Sequence, residues 1–357
     1  MTTVEHLEPV SGLEWTVLRG SRQAVMRALG REHAAEIRRA RHAAGGGWQA
    51  LVERATGPAR DRFTAVMASS RRLLPVEAQE IDWIAEGAGI PAADLWALNL
   101  RGDLGRDGTG CSDLAFVRAD GAVMGHNEDG DPHLGADIRL VTLQIDGDPS
   151  LTAVWYPGML PANSFVTTSA GLSFGMDHVP VARADLRGAG RHLVARHAQR
   201  RHDGAAARHV LTTVACAGGF AFDVADAAGR VELIENAAGR VASASGRSGP
   251  LRHTNHLCLV DAAVVQGAPS GAPGDDGGQS ESRDRLAALA AACPEPAGLG
   301  DVFGALRAPG VLNRADDLWT FTTSAVDTAA DEVWVQGSGE VWAGRLSAFA
   351  RGERVAV

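Results

Sequence analysis

Long apolar runs are absent from this chain of 357 residues. None approaches the roughly 20 residues that crossing a bilayer takes, so no membrane span is expected. A secretory leader is missing as well: Met1 to Gly20 carry Glu5, Glu8 and Glu14 and no apolar core. Nor is there a basic excess. The 34 Lys+Arg are outnumbered by 43 Asp+Glu, giving a formal charge of −9, which argues against a general nucleic-acid binder that neutralises phosphates with a basic stripe. Arginines cluster between Arg183 and Arg208, but Asp185 and Asp203 interrupt them at helical spacing, as on a solvated helix face. Cysteine is scarce. The four (Cys111, Cys216, Cys258, Cys293) show no CxxC and no regular spacing, whereas secreted disulfide frameworks are dense, so the chain reads as reduced and cytoplasmic. No internal repeat is visible. What is present is ordinary for a soluble globular protein, 45% hydrophobic and 22% charged, at a length that suits one large domain or two smaller ones.

The first third reads as helix. Ser21 to Ala43 places Val25, Met26, Leu29, Ala34 and Ile37 on one face. Trp48 to Met67 and Pro75 to Glu86 continue in that style until Gly87-Ala88-Gly89-Ile90-Pro91, and Pro91 opens a short helix over 92–98. Asn99 to Gly110 is a polar, glycine-rich loop. From Cys111 the period changes to alternation. Hairpins are expected over 114–124 about Asp120-Gly121, over 138–155 about Asp146-Gly147-Asp148, and over 165–174 about Ala170-Gly171. Two helices (186–201 and 205–215) and strands at 220–224, 230–235 and 240–245 follow. A stretch at about 264–283, rich in Gly, Pro, Ser and Asp, is expected to be a flexible surface loop. Helices over 283–293 and 300–306 and strands over 319–326 and 332–335 close the chain. That order predicts an α+β fold with helices packed on antiparallel sheets rather than a parallel βαβ sheet.

Chemistry concentrates at Gly110-Cys111-Ser112-Asp113, where the period changes. A thiolate is the attacking species, so a nucleophilic cysteine needs a base or a lowered pKa. If the chain is cut before Cys111, that residue supplies both the thiol and an α-amine, whose reference pKa near 8 makes it a usable base. A tight turn at Gly110 would bring the sulfur onto the Gly110 carbonyl, for an N-to-S acyl shift and then hydrolysis. Asp129 stands just beyond the second strand of the same hairpin and is a candidate to orient the amine; the Asn255 amide is a candidate oxyanion donor. In Asn127-Glu128-Asp129, alternation sets Asn127 and Asp129 on one face and turns Glu128 away from Cys111.

Several segments carry a family resemblance. Glu80 to Pro91 (EIDWIAEGAGIP), Leu98-Asn99-Leu100-Arg101, Gly110-Cys111, Gly125-His126-Asn127-Glu128-Asp129 and Thr254-Asn255-His256 occur in the order of the acyl-CoA:isopenicillin N acyltransferase family, peptidase family C45 of the N-terminal-nucleophile hydrolases. The resemblance implies a four-layer αββα sandwich of antiparallel sheets, preceded by a helical N-terminal segment. It implies cleavage between Gly110 and Cys111 into a retained 1–110 segment and a 111–357 catalytic segment. It also implies nucleophile Cys111, orienting carboxylate Asp129 and oxyanion asparagine Asn255. No cofactor is implied beyond acyl-CoA as a co-substrate, and the partner is a small-molecule amide or acyl donor. Ser112-Asp113 stand where two threonines are usual, and Glu128 where a tryptophan is usual. In this the chain is more similar to the β-alanyl-amine (carcinine-type) hydrolase branch than to the penicillin-forming enzyme.

Competing readings stay beside this one. Cys111 as an inert core thiol is the bland reading of any buried cysteine. Asp129 in Asp129-Gly130-Asp131-Pro132 also suits a turn, and Asn255 also suits a loop amide. Asp113, which alternates onto the Cys111 face, with Asn127, Glu128 and Arg314, forms a second tier of candidates around the substrate. His253 and His256 lie three apart with no third ligand near them in sequence, so no metal is expected. Two other functions compete: a Cys-His hydrolase without self-cleavage, using His126 or His256 as base, and a non-catalytic relative serving as a binding module.

Overall fold

The computed structural model describes residues 2–43, 47–104, 110–261 and 279–357. The residues before Ser21, in a first third read as helix-rich and with no strand assigned to them, are strands. They form a hairpin, β1 (Thr3–Val10) and β2 (Leu13–Gly20), turned by Ser11 and Gly12, both at positive φ; a two-residue turn with both φ positive matches the twist of the strands. Mostly exposed β1, with Glu5, His6 and Glu8, lacks the alternation that would have announced it.

Helices α1 (Arg22–Glu32), α2 (Ala34–Arg41), α3 (Gly47–Thr56), α4 (Arg60–Leu73), α5 (Pro75–Ala88) and α6 (Ala92–Asn99) follow. Val25, Met26 and Leu29 are buried as their spacing predicts. Pro75 opens α5 and Gly89, left-handed at φ 67°, ends it. α1 and α5 cross at two glycines. A Cβ on Gly30 would stand 2.1 Å from the Ile84 carbonyl oxygen, and one on Gly87 2.0 Å from that of Arg27, so both positions need a residue without a side chain.

Strands β3 (Gly110–Val117), β4 (Ala122–Gly130), β5 (Arg139–Ile145), β6 (Leu151–Trp155), β7 (Val166–Thr168) and β8 (Leu172–His178) come next, then helices α7 (Arg191–Gln199) and α8 (Gly204–Thr213). Strands β9 (Gly219–Asp226), β10 (Val231–Ala237), β11 (Arg240–Ser245) and β12 (Leu251–His253) lead to α9 (Gln279–Ala292) and α10 (Leu299–Leu306). The chain ends with β13 (Trp319–Asp327), β14 (Glu332–Gln336), β15 (Trp342–Arg345) and a single turn, α11 (Leu346–Phe349). Of the expected loop at 264–283, residues 279–283 belong to α9; the rest up to 278 lies outside the described residues, as do 105–109 of the loop before Cys111.

Two sheets result. The larger has nine strands in the order β1-β2-β5-β6-β7-β8-β9-β10-β11, antiparallel except where β2 runs parallel to β5. The smaller has six, β12-β3-β4-β13-β14-β15, all antiparallel. They face each other closely enough that a Cβ on Gly175 of β8 would stand 2.2 Å from Asp113 Oδ1 of β3. Helices α1 and α8 pack on the large sheet, with α5 against α1 and α7 against α5 and α8, and α9 and α10 pack on the small sheet. The αββα layering is therefore the fold, and alternation divides β3 and β4 between its layers. Leu114, Phe116 and Val123 pack with Val302, Phe303 and Leu306 under α10, while Ala115 and Met124 join the core between the sheets. No helix among the described residues is long and apolar enough to cross a membrane.

Candidate active site

Register decides what meets Cys111. In the β3–β4 ladder Gly110 opposes Asp129, Cys111 opposes Glu128 and Asp113 opposes His126. Directly opposed residues share a face, so Cys111, Asp113, His126 and Glu128 all point between the sheets. The expectation that Glu128 turns away from Cys111 is thus overturned: the faces had been counted from Asp129, which opposes Gly110 instead. Cys111, 3% exposed, donates its thiol to Glu128 Oε2 at 3.8 Å. Glu128 also accepts from His126 Nε2 at 3.0 Å and, on Oε1, from the Tyr156 hydroxyl at 2.6 Å. His126 Nδ1 meets Asp113 Oδ1 at 2.8 Å.

This buried cluster moves proton affinities in definite directions. Burial and the charge of Glu128 push the Cys111 thiol well above its ordinary value. Burial opposes charge on His126, but the attraction of Asp113 and its hydrogen bonds outweigh that and raise it well above the usual imidazole range. Asp113 is raised to about 6 by burial and by repulsion from Asp177, with His126 pulling back.

Asn255 follows β12, whose His253 pairs with Asp113 on β3. Its side-chain oxygen accepts the Cys111 backbone N–H at 2.9 Å and Arg285 Nη2 at 2.7 Å; its amide nitrogen donates to the His178 carbonyl at 3.0 Å. Here Asn255 holds the cysteine nitrogen, and the amide expected to serve an oxyanion is already engaged. The segment around it is clamped. His253 sits between Asp177 (2.6 Å) and Glu235 (3.2 Å), and Ser282 Oγ accepts the Asn255 N–H at 2.8 Å.

Asp129 lies on the opposite face of β4, beside Gly110. Its Oδ2 accepts from Asn313 Nδ2 at 2.6 Å and has Arg285 Nη1 at 3.6 Å, while buried Oδ1 has no hydrogen-bond partner among the described residues. Burial raises its pKa, with Arg285 pulling it down. Of the second tier, Asn127 is elsewhere: it accepts from Thr323 and donates to the Leu306 carbonyl, tying α10 to the sheet. Arg314 braces the Asn313 loop through the carbonyls of Asn313 and Thr320, both at 2.8 Å, and stacks on Trp319.

Two residues escaped the sequence reading. Arg285 on α9, buried and paired with Glu281 one turn back, also reaches the Cys111 carbonyl and Ser112 Oγ. An arginine at the head of an Ala/Leu-rich run, two residues after Arg283, was the available signal. Tyr156, the only tyrosine, carried none. For a metal, the structure brings Glu235 and Cys258 up to His253 with ligand atoms within 4.8 Å, neighbours the sequence hid. Both ring nitrogens of His253 already meet carboxylates, and Glu235 accepts the backbone N–H groups of Cys258, Leu259 and Val260, a donor set that suits a clamp better than an ion.

No curated protein matches the chain. Solved structures that resemble it include a mutant of conjugated bile acid hydrolase from Clostridium perfringens, at 10% identity over 69% of this chain and 95% of that one, TM-score 0.40. A second variant of the same enzyme gives 12% over 69% and 95%, TM-score 0.44, and penicillin V acylase from Agrobacterium tumefaciens 12% over 66% and 86%, TM-score 0.38. The profile of the acyl-coenzyme A:6-aminopenicillanic acid acyl-transferase family matches residues 117–287. That stretch begins six residues after Cys111 and contains His126, Glu128, Asp129, Asn255 and Arg285. Over that stretch, just under half of the chain, the sequence is similar to this family.

Proposed function

We propose that the chain is cut between Gly110 and Cys111 and then acts as an N-terminal-cysteine amidohydrolase or acyltransferase on small linear amides or thioesters. The observation that carries this is the setting of one nitrogen. The Cys111 backbone N–H is already held by Asn255 Oδ1, and the carboxylate of Asp129 lies beside Gly110, its Oδ1 without a hydrogen-bond partner among the described residues. Cutting the peptide turns that nitrogen into an amine, with an acceptor in place and a carboxylate nearby that has one oxygen to spare.

In turnover, the Cys111 sulfur attacks the acyl carbon while its own α-amine takes the thiol proton and passes it to the departing amine. The thioester then yields its acyl group to water or to a second amine. Acyl-CoA is a fitting donor for the transferase direction, and β-alanyl amides are fitting substrates for hydrolysis. Residues 1–110 stay bound, because β1 and β2 are strands of the large sheet and α1, with α5 against it, packs on that sheet.

A second reading draws on His126, whose pairing with Asp113 has the form of a Cys-His hydrolase. It is disfavoured because His126, held between two carboxylates, is charged and lacks the free lone pair that a base needs. His256 approaches Cys258 at 3.7 Å rather than Cys111. The test uses another feature of the chain: all 34 basic residues are arginine. Without lysine, an amine-reactive probe added after denaturation labels only N-termini. The expected result is label at Cys111 in the wild type and none there in Cys111→Ala; a wild-type chain labelled only at its first residue would refute the cut.

A further inference from the structure

We infer that Glu128 accepts the Cys111 thiol proton in the uncut chain, in the single event for which the α-amine does not yet exist. The inference rests on the self-cleavage reading above. In the uncut chain the Cys111 nitrogen is a peptide nitrogen, its lone pair delocalised into the amide, so it cannot serve as base. Asn255 engages that nitrogen and Asp129 lies on the other face of β4. The sulfur itself faces Glu128 and His126. His126 already carries its proton between Asp113 and Glu128. Glu128 Oε2 is left as the acceptor.

The carboxylate is held for the task. Tyr156 fixes Oε1 and His126 fixes Oε2, and the Arg101 guanidinium lies 5.5 Å from the centre of the Tyr156 ring. The charged and titratable groups around it are Cys111 on β3, His126 and Asp129 on β4, Tyr156 after β6 and Arg101 above that ring. Asp113 and Asp177 stand behind them. The step balances. The thiol proton passes to Oε2, and the sulfur forms a bond to the Gly110 carbonyl carbon through a five-membered ring. The Gly110–Cys111 C–N bond breaks, and the proton returns from Glu128 to the departing nitrogen, leaving a thioester and a free amine. Water then adds to the thioester carbonyl, the C–S bond breaks, and the products are the Gly110 carboxylate and the Cys111 thiol. Glu128 ends as it began.

The test follows cutting of the full chain by intact mass against time and pH, in wild type, Glu128→Gln and Tyr156→Phe. Glu128→Gln keeps the shape and loses the base, so cutting slows by about 10²-fold or more, the usual contribution of a positioned base. Tyr156→Phe removes the hydrogen bond that fixes Oε1 and leaves the carboxylate less well placed, so cutting slows, by a smaller factor than in Glu128→Gln. Equal cutting by Glu128→Gln and wild type overturns the inference. If Glu128→Gln does not fold, Tyr156→Phe decides, and cutting at the wild-type rate overturns the inference. A wild type that never cuts defeats the self-cleavage reading instead, so the two failures are distinguishable.

Discussion

Cys111 and Asn255, 144 residues apart in sequence, meet in one hydrogen bond, backbone N–H to side-chain oxygen at 2.9 Å. The same oxygen accepts Arg285, so one asparagine joins β3, the segment after β12 and helix α9. Its consequences are open to measurement.

Asn255→Ala removes the acceptor and leaves the Cys111 nitrogen and the Arg285 guanidinium unpaired in a buried site. The expected loss is about 1–3 kcal/mol of stability and a fall in turnover of about 10²-fold or more. Chemical denaturation reads the first and steady-state rates with an amide substrate the second. A variant as active as wild type would remove Asn255 from the machinery.

Arg285→Met is expected to lower stability more than Arg285→Lys, although both lose the fork that reaches Asn255, Ser112 and the Cys111 carbonyl together. Removing one partner of a buried ion pair costs about 3–5 kcal/mol, because Asp129 keeps a charge with no cation beside it. Urea midpoints of the two variants, compared at constant slope, test this.

Acid should weaken the protein through Arg200, which sits between Glu77 and Asp148. Burial opposes charge on both carboxylates, but His197 and Arg200 at Glu77, and Arg22 and Arg200 at Asp148, hold each down to about 2. A folded pKa below the unfolded value gives stability present above the ordinary carboxylate range, about 4, and lost as pH falls toward 2. Arg200→Met brings the folded values back toward the unfolded ones, so it should be less stable than wild type at neutral pH and lose less stability as pH falls from 5 to 2. Unfolding midpoints between pH 5 and pH 2 would show it, and superimposable curves would refute it.

Gly87→Ala, an innocuous change on an exposed helix, should destabilise here. Its new methyl group meets the α1 backbone at Arg27 rather than a side chain that can move aside. Overpacking of this kind costs about 1–3 kcal/mol, read as a lowered thermal midpoint with the fold retained.

Much of the fold was legible in the sequence because local signals agreed with the final packing. The change from helical period to alternation at Cys111 marks the start of β3, and the Pro75 and Gly89 signals bracket α5. The β1–β2 hairpin was not legible, since exposed β1 is stabilised by pairing rather than by a buried face. Helix α9 hid its starting turn at the end of a stretch of loop-like composition.

The sequence by itself determined an α+β class with helices packed on antiparallel sheets, the position of Cys111 at the head of a strand, and the nearness of Asp129 across one hairpin. These follow from short-range periodicity and turn chemistry, which act over a few residues. Only the tertiary structure decided that Glu128 rather than Asp129 faces the sulfur, because a register shift of one residue exchanges the faces of a strand. It alone decided that Asn255 presents its oxygen to the Cys111 nitrogen, and that Arg285 and Tyr156 join the site. Those contacts span from 28 residues, between Glu128 and Tyr156, to 174, between Cys111 and Arg285. At such separations the packing of two sheets and a helix, rather than any local preference, sets which side chains meet.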